Sequence, residues 1–400
     1  MAANILVAGG GIGGLAAAIA LARRGHAVEI LEQSAQFAEV GAGIQLGPNV
    51  TRRLRAMDLL DQVQALAACP QALAVHSADT GSLVARLPLA DAALRKYGSP
   101  YLCIHRADLH RVLLDAAKAT AGIALHAGAC ITRVTTRAQA VEVQTQDMRA
   151  WTGDGLLGAD GLWSAVRPHV VQACDPPRAT GHTAWRALCP ADEVPAALRS
   201  ADVRVWLGER MHAVAYPVRG GDALNLVVLA ETDAGPGAGG ALREDPRDWD
   251  QQANLDALRR AVGERCGGVR PLIDAMPHWR AWRLHDRPPL RGARDMARER
   301  MALLGDAAHP MLPYLAQGAG MAIEDAACLG ECLADADAAE LPGALARYAG
   351  LRWRRNAQVQ QRSRKNAEIF HYGGPMRLAR DAALRVLGTR LLDAPWLYEG

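Results

Sequence analysis

Phenylalanine is almost missing from this chain: Phe37 and Phe370 are its only two in 400 residues. Lysine is nearly as scarce, confined to Lys96, Lys118 and Lys365, so arginine carries most of the positive charge. With the abundant alanine, this reads as compositional drift and carries no functional message. A charge imbalance is lacking too. The 45 basic residues stand against 42 acidic ones, the net charge is +3, and the basic residues are dispersed. That excludes the electrostatic footprint of a nucleic-acid binder.

The cysteines, at positions 69, 103, 130, 174, 189, 266, 328 and 332, form no C-x-x-C. Only Cys328 and Cys332 fall close together, on one expected helix. No zinc-ligand spacing results, so no metal is expected, and reduced, mostly buried thiols suit a cytoplasmic protein. Long apolar runs are absent as well. The nearest approach begins at Val7, but five glycines interrupt residues 9–14, and Arg23 and Arg24 follow the run instead of preceding it. That pattern suits neither a secretion signal nor a spanning helix, and no membrane contact is expected.

What is present begins in that same segment. Asn4–Ala8 (NILVA) reads as a buried parallel strand, and Gly9, Gly11 and Gly14 follow as G-x-G-x-x-G. Leu15–Arg24 has helical propensity, Gly25 is placed to end the helix, and Ala27–Leu31 reads as a second strand that stops at Glu32. Gly9 permits the tight turn, Gly11 lets the backbone approach a pyrophosphate, and Gly14 lets helix and strand pack closely. The helix start faces the phosphates, with Ile12 and Gly13 in its first turn. Glu32, with Gln33 beside it, is placed for a ribose and disfavours a 2′-phosphate, which points to FAD or NAD and not NADP.

Three later stretches choose between them. CIHRADLHRVLLDAAKA, residues 103–119, sets Arg106 at the front of a helix. GLLGADGLWSAVR, residues 155–167, sets Asp160 at the end of an apolar strand. MALLGDAAHPMLPYLAQGAGMAIEDA, residues 301–326, sets Asp306 directly after a strand and then opens a helix near Gly318 and Gly320. No further glycine turn of this kind, set between a strand and a helix, marks a dedicated nicotinamide domain.

In the order and spacing of these motifs the chain resembles the single-component, FAD-dependent aromatic hydroxylases over nearly its whole length. This is the para-hydroxybenzoate hydroxylase-like family, and the segment GAGIQLGPNV (residues 41–50) is similar to its salicylate, 3-hydroxybenzoate and 6-hydroxynicotinate branch. The resemblance implies an α/β fold: a Rossmann-like FAD-binding domain, a substrate domain on a mixed or antiparallel sheet, and a long C-terminal helix. It implies that Arg106 contacts FAD, that Asp160 stabilises it, that Asp306 bonds its ribityl chain, and that Gly43 runs beside the flavin. Residues 317–320, including Gly318, Ala319 and Gly320, would face the pyrimidine end, where a helix start favours negative charge.

Between these motifs the pattern turns to short β-rich segments: 183–190, 202–208, 211–218 and 223–230, the last two joined by the RGGD turn. A Gly/Pro-rich surface loop is expected at 231–246. On the strand Met211–Val218, His212, Val214 and Tyr216 share one face. Relatives acting on hydroxylated aromatic or pyridine acids carry a similar His-x-x-x-Tyr. That resemblance makes His212 the base or substrate orienter and Tyr216 a substrate hydrogen-bond partner. Gln45, Pro313, Tyr314 and Trp185 complete the expected pocket, with Arg186 the alternative to Trp185 as the inward side chain. His309 is expected to be structural. Pro313 and Gln45 depart from the Gln and His of some relatives, which leaves ring position open.

The expected division is 1–75 with 100–180 and 285–340 for FAD, 76–99 and 181–284 for substrate, and 341–400 as a C-terminal helical segment. Residues 341–370 in particular read as a long basic helix packed on the FAD domain. The expected activity is hydroxylation of a small phenolic or hydroxypyridine-type acid through a flavin C4a-hydroperoxide. FAD would be held tightly without a covalent bond, NADH or NADPH would dock transiently, and O₂ would be consumed by a monomer or homodimer. Two alternatives are a flavin monooxygenase of larger non-phenolic substrates and a non-catalytic binding protein on the same scaffold.

Overall fold

The computed structural model describes residues 2–38, 41–172, 175–232, 245, 247–248, 251–264 and 266–399. Most of the expected 231–246 loop lies outside the described residues.

The chain opens with β1 (Asn4–Ala8), α1 (Ile12–Ala22) and β2 (Ala27–Leu31), and then β3 (Gly43–Leu46), α2 (Pro48–Ala56) and α3 (Leu60–Leu66). Next come β4 (Ala72–Ser77), β5 (Leu83–Pro88), α4 (Ala90–Tyr97), β6 (Leu102–His105) and α5 (Arg106–Ala119). Strands β7 (Ile123–His126), β8 (Ile131–Thr136), β9 (Val141–Thr145), β10 (Ala150–Gly153) and β11 (Gly155–Gly158) lead to the short α6 (Arg167–Val170). The central stretch holds β12 (Arg178–Pro190), β13 (Val203–Gly208), β14 (Met211–Val218) and β15 (Ala223–Glu231). It continues through β16 (Gln251–Ala253), α7 (Leu255–Val262), α8 (Arg270–Ala275) and β17 (Trp279–Asp286). The last part is β18 (Ala297–Arg298), β19 (Met301–Leu303), α9 (Gly318–Cys332), α10 (Leu341–Phe370), α11 (Gly374–Leu392) and α12 (Pro395–Tyr398).

One six-stranded sheet has the order β18-β19-β11-β1-β2-β7, parallel except where β18 meets β19. Its central strand β1 is close to a continuous apolar run, with Ile5, Leu6, Val7 and Ala8 all buried. The second sheet is eight-stranded, β16-β17-β12-β15-β14-β13-β4-β5, antiparallel except for the β13–β4 pair. On one face it packs Met211, Ala213 and Ala215 into an apolar core with Leu258 and Val262 of α7 and Leu272 and Ile273 of α8. Its other face looks toward β3, β6 and the end of α10.

The 30-residue α10 spans Leu341–Phe370, as the sequence pattern predicts. Its packing differs from that of a simple amphipathic helix. Arg352, Asn356, Gln360, Ser363 and Asn366 are all buried, so polar side chains line its inward face. They have partners. Asp325 of α9 accepts hydrogen bonds from Arg352 Nε at 2.8 Å and Asn356 Nδ2 at 3.0 Å, and Glu324 accepts from Arg352 Nη1 at 2.8 Å and Arg355 Nε at 2.7 Å. Burial alone would push the Asp325 carboxyl up, but His309 and Arg352 hold it well below the usual aspartate range. This buried network fixes α10 to α9 and so determines where the end of α10, Phe370 and His371, arrives.

Candidate functional site

The parallel strands β1, β2, β11 and β19 end at one edge of the six-stranded sheet. That edge gathers the glycine turn after β1, Glu32 after β2, Asp160 after β11 and Asp306 after β19. Loops leaving the carboxyl ends of parallel strands form a crevice where the strand order reverses, here on either side of β1. The glycines are needed for contact. Gly9 has φ +99°, and a Cβ on Gly14 would lie 2.0 Å from the Gly9 carbonyl oxygen. Helix α1 begins after Gly11 with no side chain capping it, so the first-turn amides of Ile12, Gly13 and Gly14 face the crevice without a side-chain acceptor.

Glu32 braces this turn: one carboxylate oxygen accepts from Gly10 N at 2.7 Å and the other from Ser34 N at 2.8 Å. Gln33 beside it is exposed. His110 of α5, buried and not anticipated from the sequence, is 2.8 Å through Nε2 from the Gly10 carbonyl. Arg106 opens α5 and donates its backbone N–H to Ala42 at 2.8 Å, which places it beside β3 and Gly43. Asp160 accepts from Ser164 Oγ at 2.5 Å and from the amides of Ala165 and Val166. Its carboxyl bonds therefore hold the turn into α6, and burial pushes its pKa up against them.

Asp306 is exposed although residues 301–305 and 307–310 are all buried. Helix α9 starts at Gly318 with no side-chain cap and open space in front of that glycine, followed by Ala319 and the buried Gly320. His309 bonds through Nε2 to Asp325 Oδ2 at 2.5 Å, a structural tie between the 305–310 loop and α9. The glycine cradle, two uncapped helix starts and an arginine offer donors, and an exposed strand-end carboxylate offers an acceptor, a set that fits FAD, an anionic dinucleotide with a polyol chain.

The second part of the site lies on the open face of the eight-stranded sheet. His212 is 1% exposed, and its Nδ1 lies 3.0 Å from Nε2 of His371, the residue that ends α10. His371 Nδ1 lies 3.1 Å from Glu231 Oε1 at the end of β15, and Arg210 Nε lies 3.2 Å from Glu231 Oε2. His182 of β12 bonds through Nδ1 to the Tyr314 hydroxyl and stacks on His371 with ring centroids 5.2 Å apart. Tyr314 and Phe370 close the wall, at 4.8 and 5.4 Å from the His212 ring. Burial, then His371 and His182, drive the His212 pKa well below its ordinary value, so this imidazole is neutral. The Glu231 carboxyl is lowered by its hydrogen bond with His371.

His182, Glu231 and His371 were not legible in the sequence. They belong to no motif, and His182 lies one residue ahead of the strand that the sequence pattern marks. The donor atoms of these three lie within 4.8 Å of one another. The two imidazoles are stacked, however, and His182 Nδ1 already meets the Tyr314 hydroxyl while His371 Nδ1 meets Glu231. The cluster reads as hydrogen-bonded and not chelating.

Other expected pocket residues fall differently. Trp185 turns to the opposite face and lies in the core under α7 and α8, because β12 alternates and Ala184 takes the site side with Tyr314. Arg186 takes that side instead, buried, with its guanidinium 5.2 Å over Trp282. Tyr216 shares the His212 face, but its hydroxyl donates to the Gly43 carbonyl at 2.6 Å, and Asn225 Oδ1 accepts from Gly43 N at 2.8 Å. Together they fasten the sheet to β3. Gln45, next along β3, accepts from the Tyr101 hydroxyl at 2.6 Å. Pro313 is exposed while its neighbour Tyr314 is buried.

Comparison with known proteins matches residues 2–363 to the family described as FAD binding domain. The chain is 36% identical over 397 residues to a 3-hydroxybenzoate 6-hydroxylase of Polaromonas naphthalenivorans, covering 98% of this chain and 95% of the relative. It is 38% identical to a 3-amino-4-hydroxybenzoate 2-monooxygenase of Streptomyces cremeus, covering 99% and 94%. Among solved structures it is similar to Klebsiella pneumoniae HpxO complexed with FAD and uric acid. There the identity is 27%, the TM-score 0.83, and the coverage 97% of this chain and 94% of that one.

Proposed function

The chain belongs to the FAD binding domain family, and from that premise we propose that it hydroxylates the ring of a small phenolic or hydroxypyridine-type acid held between His212 and the flavin. It is an FAD-dependent monooxygenase that takes NAD(P)H and O₂ as co-substrates. FAD bound there would supply the activated oxygen for an electron-rich ring carbon. The protein's part is to bind FAD, orient the ring, exclude water and move one proton.

The observation that carries this reading is the state of His212: a buried, neutral imidazole on an aromatic-lined wall, with Nδ1 engaged by the protein and Nε2 left over. A phenol titrates near ~10, and its anion is the better carbon nucleophile, so a neutral imidazole within reach of the hydroxyl activates the ring. Tyr314, whose hydroxyl burial keeps protonated, orients the substrate from the adjacent wall. Tyr216, Asn225 and Gln45 keep β3 against the sheet, and the wall excludes water from the reacting atoms. For FAD, the amides of Ile12, Gly13 and Gly14 serve the pyrophosphate, Glu32 the ribose, and Asp306 the ribityl chain. Arg106 and the start of α9 serve the flavin itself. Residues 1–75, 100–180 and 285–340 make up the FAD-binding part in this reading, and 76–99 with 181–284 the substrate part. The same reading places the enzyme in the cytoplasm, as a monomer or homodimer without nucleic-acid or membrane partners.

A panel of hydroxylated aromatic acids, scored by stimulated NAD(P)H oxidation and by product mass, tests the proposal. One or more should accelerate oxidation and return a product heavier by one oxygen atom. Stimulation by larger non-phenolic compounds alone would overturn the substrate class.

A further inference from the structure

The direction of each hydrogen bond in the Glu231–His371–His212 chain follows from its far end. A carboxylate only accepts, so the proton in the 3.1 Å contact sits on His371 Nδ1. With His371 as the neutral imidazole that a relay requires, that one proton leaves its Nε2 a lone pair. The proton in the 3.0 Å contact therefore belongs to His212 Nδ1, and His212 Nε2 is left unprotonated. Glu231 is the one member near solvent, with its side chain 33% exposed and Arg210 on its second oxygen.

We propose that His371 and Glu231 are positioning residues that lock His212 with its base at Nε2 and then carry the substrate's proton outward. When Nε2 takes the phenol proton, the Nδ1 proton of His212 passes to His371 Nε2. The Nδ1 proton of His371 passes to the Glu231 carboxylate, which releases it to water. Each imidazole ends neutral with its proton on the opposite nitrogen, so no imidazolium is left behind and the negative charge stays on the substrate phenolate. Other titratable or charged groups facing the chain are His182 of β12, stacked on His371, Tyr314 bonded to His182, Asp286 acting on His182, and Arg210.

This inference rests on the reading of His212 as the base, and the experiment separates the two. Glu231→Gln keeps an acceptor for His371 but cannot take its proton, and His371→Ala removes the link. Both are compared with the unsubstituted holoenzyme on two acids of similar shape. One has an ordinary phenol, and the other has a phenol already ionised at the assay pH. Each variant should lose on the order of 10- to 100-fold more turnover on the ordinary phenol than on the ionised one, with flavin content and KM little changed. Equal losses on both acids, or none, overturn the relay. If the unsubstituted enzyme turns over neither acid, the reading of function falls and takes the relay with it. Nitrogen-15 NMR of the unsubstituted holoenzyme gives a check that does not depend on folded variants: His212 should be protonated at Nδ1 and bare at Nε2. The reverse tautomer overturns the inference.

Discussion

At the crevice proposed for FAD the polar groups on offer are mostly backbone, presented by turns at the ends of parallel strands. On the substrate side they are side chains gathered from β12, β14, β15, the 313–315 turn and the end of α10. Backbone contacts need glycine at fixed spacing, because a Cβ would stand where the chain must pass, as the 2.0 Å clash at Gly14 shows. Side-chain contacts need only a residue of the right chemistry somewhere on a wall. His212, His371 and Glu231 are 159 and 140 residues apart along successive links. The first kind of site is written locally, and the second is assembled by packing.

The largest expected effect strikes the seam that joins the two regions. Arg352→Met leaves Asp325 buried without its guanidinium and Glu324 with Arg355 as its remaining one, and stability should fall by about 3–5 kcal/mol, read by denaturant unfolding. Flavin retention should fall with it, since α9 begins at the crevice. The network also sets a sign for pH. Asp325 is held below its ordinary value, so the stability it contributes is full above that value and is lost as pH falls through the depressed one. Acid should therefore lower the unfolding midpoint of the unsubstituted protein.

Confined to the substrate side, His212→Ala should leave flavin content intact and cut hydroxylation by about 10²–10⁴-fold. Unchanged coupled turnover, measured as product formed per NAD(P)H consumed, would remove His212 from the mechanism. The smallest effect belongs to the residue that spans both regions. Tyr216→Phe deletes the bond to Gly43 and should lower stability by about 1 kcal/mol while hydroxylation survives within a few-fold. A collapse in turnover comparable with that of His212→Ala would instead put the Tyr216 hydroxyl on the substrate.

Reading the sequence placed the elements of the dinucleotide half well. β1, β2 and α10 stand where periodicity and glycine placement put them, and Gly9, Gly14, Glu32 and Asp306 meet at one sheet edge. On the other side, the His212 and Tyr314 it named share one wall, but it set Trp185 on the face of β12 that turns away from them. Period-two alternation says which residues share a face, not which face looks inward. Glu231 and His371 gave no signal at all, because a strand end and a helix end carry no spacing that marks them.

The sequence by itself determined a dinucleotide site, since a backbone cradle constrains residue type at every step of a short segment, and the family resemblance of its later motifs pointed to the flavin and the class of chemistry. Only the tertiary structure decided what His212 meets. Its Nδ1 is linked to the Glu231 carboxylate through His371, the residue just after α10. That residue arrives only because Arg352 and Asn356 fix the helix to α9.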